Sequence, residues 1–546
     1  MVDCIIVGHN DGDFQAQVDM VAGMGRDSGA YRDLSLAFMQ WQGEPTRALD
    51  FLTRQQVKDS YGDDRRYHNL EMLWPTITYL GSFLARHGYS FDYVNLFQEE
   101  KEQFAAKLAD EPLAVAVTTT LYVTPDPAVE VVQFVREHSA KTKVIVGGPF
   151  VANYARQTSR SAFSQVLNLV GADVYVVSSE GESTMANVLA ALKAGKSLRG
   201  IPNVIFREDG EWVFNEEKIE SNALDQNMVD YSLFEGSLGQ FVTLRTAKSC
   251  PFSCAFCGFP ARAGKYVYQP IELVERELDR IREHGSVTSL TIIDDTVNVP
   301  KVRFKEILRM MIRKNYGFHW NSFYRSDHGD DETIDLMAEA GCEGVFLGVE
   351  SGSDTMLKGM NKTARRHNYM RAIPRLRQVG IVTHANLIIG FPGETKETVD
   401  ETRSLLSEAQ PDFFRPQLWY ADPITPIWER RDEFDVSGSM FNWRHRTMNS
   451  DQAADIIDDM FLNTTGSLWL PQSGFELWSV FYLMRRGMSL DQVKNYVRTF
   501  NAAVGENVGR SAPAEVSAAA VDRLLESARF KPAGVGGAPL SGAVSV

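Results

Sequence analysis

The run Ser249-Cys-Pro-Phe-Ser-Cys-Ala-Phe-Cys-Gly258 places thiols at Cys250, Cys254 and Cys257, a Cys-x3-Cys-x2-Cys spacing. Three thiolates this close can hold three corners of a cubane [4Fe-4S] cluster and leave the fourth iron open. A purely structural cluster would want a fourth protein thiolate, so an open iron implies an outside ligand and a reaction there. The alternative is a zinc site built from three Cys and a nearby His. No His follows at that spacing; the next is His284, far along a helical pattern. Phe252 and Phe256, interleaved with the thiols, also suit a cluster shielded from water.

The cysteine run sits near the start of the second of two alternating β/α stretches. In that stretch, strands are predicted at 241–246, 289–293, 318–323, 343–349, 382–389 and 413–420, separated by helices such as the amphipathic 272–283. Six such units make a partial barrel, with functional residues expected at the C-terminal ends of its strands. Upstream, apolar runs predict strands at 3–8, 91–96, 113–119, 142–147 and 173–178. Helices are predicted at 73–87, 127–138 and 183–194, and a small hairpin at 200–214, which gives a doubly wound α/β domain. The stretch 9–68 reads as polar and irregular. Beyond 430 the pattern becomes helical and aromatic (Trp443, Phe461, Trp469, Trp478), and 531–546 is Gly/Ala/Pro/Ser-rich and reads as disordered.

With 546 residues, two or three domains are expected. A formal net charge of −15 argues against a nucleic-acid binder that relies on phosphate neutralisation. Of five cysteines, Cys4 and Cys342 lie outside the cluster run and read as buried small hydrophobes, in a chain with no disulfide framework. The N-terminus lacks the basic region of a signal peptide, and no apolar run reaches membrane-spanning length. These features lead us to expect a cytoplasmic, oxygen-sensitive protein without membrane or nucleic-acid partners.

Further motifs end the barrel strands. Asp294-Asp295 follows strand two, where a carboxylate can hold an amino group or cap a helix. Arg325 follows strand three and can pair with a carboxylate or form a salt bridge. Gly348-Val-Glu350-Ser351-Gly ends strand four, and Gly390-Phe-Pro-Gly393-Glu ends strand five. With the cysteine triplet, this series resembles the radical S-adenosylmethionine (SAM) superfamily. The resemblance implies that SAM chelates the open iron and is cleaved to a 5′-deoxyadenosyl radical. It further implies that Asp294, Asp295, Arg325, Glu350, Ser351, Gly390 and Gly393 contact SAM. An external electron donor such as flavodoxin or ferredoxin is implied as well.

The front domain resembles the cobalamin-binding domain that precedes many such barrels. The resemblance rests on Thr119-x-Leu121, Gly147-Gly148-Pro149 and Ser179-Glu180-Gly181-Glu182. It implies cobalamin contacts from Thr119, Gly147, Gly148, Glu180 and Gly181, with methylcobalamin as the immediate methyl donor. His9-x-x-Gly12 echoes a cobalt-binding pattern, but Val7 stands where that pattern has an orienting Asp. The implied architecture is an N-terminal Rossmann-like cobalamin-binding domain (1–214, with the insertion 9–68) and a linker (215–238). A partial (β/α)6 radical SAM barrel (239–428), a helical C-terminal region (429–530) and the tail follow.

Gly8-His-Asn-Asp-Gly-Asp-Phe14 and Asp27-Ser-Gly-Ala-Tyr-Arg-Asp-Leu-Ser-Leu-Ala-Phe38 resemble the N-terminus of the phosphinothricin-type P-methyltransferases. That implies an anionic small-molecule substrate, with Tyr31, Arg32, Arg65, Arg66, Tyr67 and His68 as candidate partners. C-methylation of another secondary metabolite, and a cobalamin-dependent cyclisation or ring contraction, stay open. A tRNA methylthiotransferase would need further N-terminal cysteines and a basic tail, which the chain lacks. A non-enzymatic cluster protein has no use for the Glu350 and Gly390–Gly393 motifs.

Overall fold

The computed structural model describes residues 2–59, 67–68, 72–510 and 513–530, without the side chains of 56–59. The expected disordered tail 531–546, and Arg65 and Arg66, lie outside the described residues.

Two seven-stranded sheets carry the molecule. The front sheet runs in the order 91–96, 4–9, 114–118, 143–147, 174–176, 204–208, 211–214. Its first five strands are parallel and the last two add an antiparallel hairpin. The parallel strands are nearly unbroken apolar runs, as burial on both faces demands. The order 2-1-3-4-5 puts a topological switch point between the strands ending at His9 and Thr118, where doubly wound sheets bind ligands.

The second sheet is parallel throughout, ordered 241–244, 289–292, 319–324, 342–350, 382–389, 413–418, 468–469. Val345, Leu347, Val349, Ala385, Leu387 and Ile389 face the large core they share with the flanking helices. The alternate residues face the other side, where Phe346 meets Phe323, His384 and Trp478. The helix Leu477–Arg485 lies on that side. Its Phe481 and Tyr482 join a core with Phe346 and Phe413, and Tyr482 also touches Phe241 of the first strand. One helix reaching the first, fourth and sixth strands on one face means that the sheet curls around it. It plugs the N-terminal end of the partial barrel, and Arg485 pairs there with Glu343.

Two expectations need correction. The stretch 9–68 is not irregular: it holds helices Phe14–Gly23, Gly29–Ser35 and Ala48–Asp59 and a hairpin pairing Phe38–Trp41 with Glu44–Arg47. It packs on the C-terminal helices. Tyr496 donates to the Ala48 carbonyl at 2.5 Å, and Val516 donates its N–H to Gln40. Its elements are short and its partners lie more than 400 residues away, so local periodicity carried no signal. The region after 430 is not all helical either. It contains a three-stranded sheet (437–439, 442–445, 448–449) bearing Trp443, and the seventh barrel strand bearing Trp469. Phe461 and Trp478 do sit on helices. Among the described residues no helix is long and apolar enough to cross a membrane.

Candidate functional site

The cysteine loop leaves the first barrel strand through Ala247–Lys248 and Ser249, which sits in left-handed backbone. All three thiols are free of disulfides. Burial pushes the Cys250 and Cys257 thiols up, and the neighbouring thiols and Asp295 add to this. The loop is clamped on two sides: the Ala255 N–H donates to the Met360 carbonyl at 2.8 Å, and the Ile427 N–H donates to the Ala255 carbonyl at 2.9 Å. Asn361 donates to the Ser253 carbonyl at 2.8 Å. Each loop phenylalanine is covered by a cation. The Arg325 guanidinium stacks 3.6 Å from the Phe252 ring centre, and the Lys362 ammonium lies 5.8 Å from that of Phe256.

Among the described residues no three His, Cys, Asp or Glu side chains converge tightly enough to share one metal ion. A cubane demands something different, one thiolate per iron on a wider frame. Three free thiols on one clamped, aromatic-walled loop fit it. Cys4 and Cys342 are buried elsewhere, and burial lifts the Cys4 thiol to about 12.

Arg325 and Glu350 come to this loop through their partners. Arg325 forks onto Asp327, with contacts of 3.2 and 2.9 Å, and reaches Thr363 at 2.7 Å. Glu350 pairs with the buried Lys362 at 2.8 Å. Its φ of 62° coincides with a register shift against the next strand, and a non-glycine residue held there is strain of the kind found at functional sites.

The two aspartates divide. Asp294 is fully buried and its oxygens accept from the Thr246 and Ala247 N–H groups, at 2.6 and 2.9 Å, and from the Thr246 hydroxyl. It is thereby a brace for the turn after strand one. Asp295 is open to solvent at the barrel mouth yet enclosed by protein on most sides. That enclosure, with Asp294 beside it, pushes its carboxyl up to about 7.

Ser351 is buried and lies 3.2 Å from the Thr402 hydroxyl. Gly390 (φ 91°) and Gly393 (φ 95°) need left-handed backbone. A Cβ on Gly390 would meet the Trp443 indole at 2.3 Å. Packing against the cap therefore already requires that glycine, whatever lies on its other side.

At the switch point, the Thr119 hydroxyl and N–H both donate to the Gly147 carbonyl, at 2.8 and 2.9 Å. Gly148 (φ 108°) passes so close that a Cβ would sit 2.9 Å from that hydroxyl. Gly147 and Gly181 both pack on Val176. Past Thr119, Leu121 is 65% exposed in left-handed backbone and Val123 is 78% exposed. Bare glycine backbone beside exposed apolar side chains makes an edge that can lie against a flat ligand. Beside it, His9 hydrogen-bonds Asp11 at 2.8 Å, and Asp11 also meets His68 at 2.6 Å. Asp11 supplies an orienting carboxylate from two residues downstream, where Val7 could not. Burial opposes the Asp11 charge, but the two imidazoles hold its carboxyl well below the usual range.

Glu180 lies between the two sheets. It forms a buried ion pair with Lys248, two residues before Cys250, and accepts the Asn222 N–H at 2.7 Å. Arg262, just past the cysteines, donates to Asn153 at 3.1 Å, and Gln157 donates to Asp422 at 2.9 Å. These contacts bring the C-terminal edge of the front sheet against the cysteine loop. Arg32, a candidate partner for an anionic substrate, is instead bound by Asp455 and Asp458. Tyr31 is buried in a small satellite core and Tyr67 packs on Tyr482. Sequence reasoning passed over Phe323, Lys362, His384 and Arg415. None stands in a motif, and only strand alternation could have placed three of them on the inner face.

Comparison with known proteins fits this geometry. Residues 244–406 match the radical SAM superfamily. An uncharacterized methyltransferase of Pyrococcus horikoshii is 26% identical over 346 residues, which cover 62% of this chain and 73% of that protein. The anaerobic magnesium-protoporphyrin IX monomethyl ester cyclase of Cereibacter sphaeroides is 25% identical, over 66% of this chain and 61% of the cyclase. Among solved structures, the radical SAM methyltransferase TsrM of Kitasatospora setae, with cobalamin and a [4Fe-4S] cluster bound, aligns with a TM-score of 0.54. It is 17% identical, over 79% of this chain and 78% of TsrM. At that identity the likeness speaks for the fold alone, an α/β domain ahead of a partial barrel.

Proposed function

We propose that the chain is a cobalamin-dependent radical SAM methyltransferase of secondary metabolism. It moves a methyl group from SAM to a non-nucleophilic centre, the phosphorus of an N-acetyl-demethylphosphinothricin-type phosphinate. One observation carries the reading: the buried Lys248–Glu180 pair ties the ligand edge of a 2-1-3-4-5 sheet to the base of the three-cysteine loop. Two sites joined this closely suit a reaction that needs both. The relatives' names and the TsrM cofactors support the reaction class, and the N-terminal resemblance supports the substrate.

When bound, the cluster and SAM supply a hydrogen-abstracting radical, and cobalamin supplies the methyl group. The protein's part is placement and exclusion of water. Cys250, Cys254 and Cys257 hold the cluster while Arg325 on Phe252 and Lys362 on Phe256 stiffen its loop. Asp295, open at the mouth, receives the SAM amino group, whereas Asp294 keeps the turn beneath it in shape. Glu350 and Ser351, at the end of their strand, would hold the sugar and amino-acid parts of SAM, and the 390–393 turn would border its adenine. The Thr119, Gly147–Gly148 and Leu121 edge, with Gly181 nearby, would hold the corrin. The electron comes from an external donor such as flavodoxin or ferredoxin.

The test is anaerobic turnover of the cluster- and cobalamin-loaded protein with SAM, a reductant and N-acetyl-demethylphosphinothricin, followed by phosphorus NMR and nucleoside analysis. The expected result is loss of the P–H coupling together with 5′-deoxyadenosine. Deoxyadenosine without a methylated phosphinate would overturn the substrate and turn the search to carbon-methylated or cyclised products. No deoxyadenosine from an intact cluster would overturn the radical reading itself.

A further inference from the structure

The inner face of the barrel holds a second group of polar side chains that the cluster and SAM contacts leave unused. Strand register places Arg415 level with Asn386, and Asn386 level with Gly348, one inward step below Glu350. The row beneath contains Phe323, Phe346 and His384. Phe323 is 42% exposed and Asn386 is partly exposed, so the lumen is open to that depth.

Arg415 is 1% exposed. One amino group of its fork donates to Asp33 at 2.7 Å, and Trp469 lies 4.3 Å from the guanidinium carbon. Its Nε and its other amino group find no partner among the described residues, and neither do the two ring nitrogens of the equally buried His384 or the indole N–H of Trp478. Buried donors are almost always paired, because a bare one forfeits its hydration with nothing in return. Burial keeps the His384 ring neutral, so it offers one N–H; with the free N–H groups of Arg415 and Trp478 this concentrates unpaired donors beside the lumen, the complement of an oxyanion. Burial lifts Glu476, the other acid within electrostatic reach, to about 7, so Asp33 is the stronger counter-charge.

We infer that Arg415, with His384 and Trp478 beside it, binds the carboxylate or phosphinate oxyanion of the substrate on the inner wall of the barrel. This rests on the proposed function insofar as the substrate is a small anion. It assigns recognition to the sixth strand and not to Arg32, whose guanidinium is bound by two aspartates.

The test is equilibrium binding to the cluster-loaded full chain, read by tryptophan fluorescence from Trp478 and Trp469, with N-acetyl-L-glutamate and inorganic hypophosphite as probes. SAM affinity is measured in parallel. Saturable binding of one or both anions is expected in wild type. R415M should weaken it roughly tenfold or more while SAM affinity stays unchanged. D33N, which removes the guanidinium's structural partner but leaves its donors, should bind the anions as tightly or more tightly. Absence of anion binding in wild type would overturn the inference. So would equal losses in R415M and D33N, the mark of a structural pin, or a parallel loss of SAM affinity in R415M, which would assign the group to SAM's own carboxylate. Anion binding is read without turnover, so failure of methyl transfer to phosphorus would leave this result distinct.

Discussion

Cys254 is the most buried of the three candidate cluster cysteines, and its loop is fixed by backbone bonds with Met360 and Ile427 that do not involve sulfur. C254A should therefore fold normally, lose the visible absorption of the reconstituted cluster and form no 5′-deoxyadenosine. Circular dichroism and anaerobic reconstitution check this. Glu394 makes a pH prediction at the same scale. It is fully buried, one oxygen accepts the Gly390 N–H, the other has no partner, and burial lifts the carboxyl to about 8. A raised carboxyl pKa gives stability that is present in full below about 4.5 and lost as pH rises through about 8. E394Q should melt above wild type at pH 8 to 9 and match it near pH 4.5. The full linkage is at most ~5 kcal/mol, and melting curves across that range decide it. The cysteines were legible because their spacing is itself the chemistry. Arg415 and Phe323 were not, because each is one ordinary residue on a strand and acquires meaning only from the register of four others.

The barrel strands were legible as apolar runs with turn signals between them, and the front sheet likewise. What closes the barrel was not. Gly344 faces helix Leu477–Arg485 so closely that a Cβ would lie 2.2 Å from the Phe481 ring. G344A should cost about 1–3 kcal/mol through overpacking of this plug, and adding F481L should recover part of the loss. Denaturant unfolding of the two variants checks both statements. The seventh strand, two residues at Leu468–Trp469, is too short for any period to show. The hairpin and the helix starting at Ala48 likewise draw their stability from Leu470, Tyr496 and Val516, far along the chain.

For the molecule as a whole, the proposed function depends on holding the front-sheet edge and the cysteine loop together. Lys248 and Glu180 are each nearly buried, so removing one leaves the other charge unpaired, at a cost on the order of 3–5 kcal/mol. K248M should keep its cluster but couple SAM cleavage to methyl transfer poorly, raising deoxyadenosine formed per methylated product several-fold. The K248M/E180L double variant should regain stability without regaining coupling; product ratios and melting curves separate the two effects. Sequence placed a ligand domain ahead of a cluster domain, but their docking uses single side chains spread from Asn153 to Asp422, which no local pattern announces.

The central claim is that the front sheet holds cobalamin beside the cysteine loop. It is tested by reconstituting the chain anaerobically with iron, sulfide and hydroxocobalamin, passing it through gel filtration, and measuring the cobalamin retained per chain. Near-stoichiometric retention is predicted. No retention by protein with an intact cluster would contradict it, and would leave a radical SAM barrel whose front sheet serves another ligand.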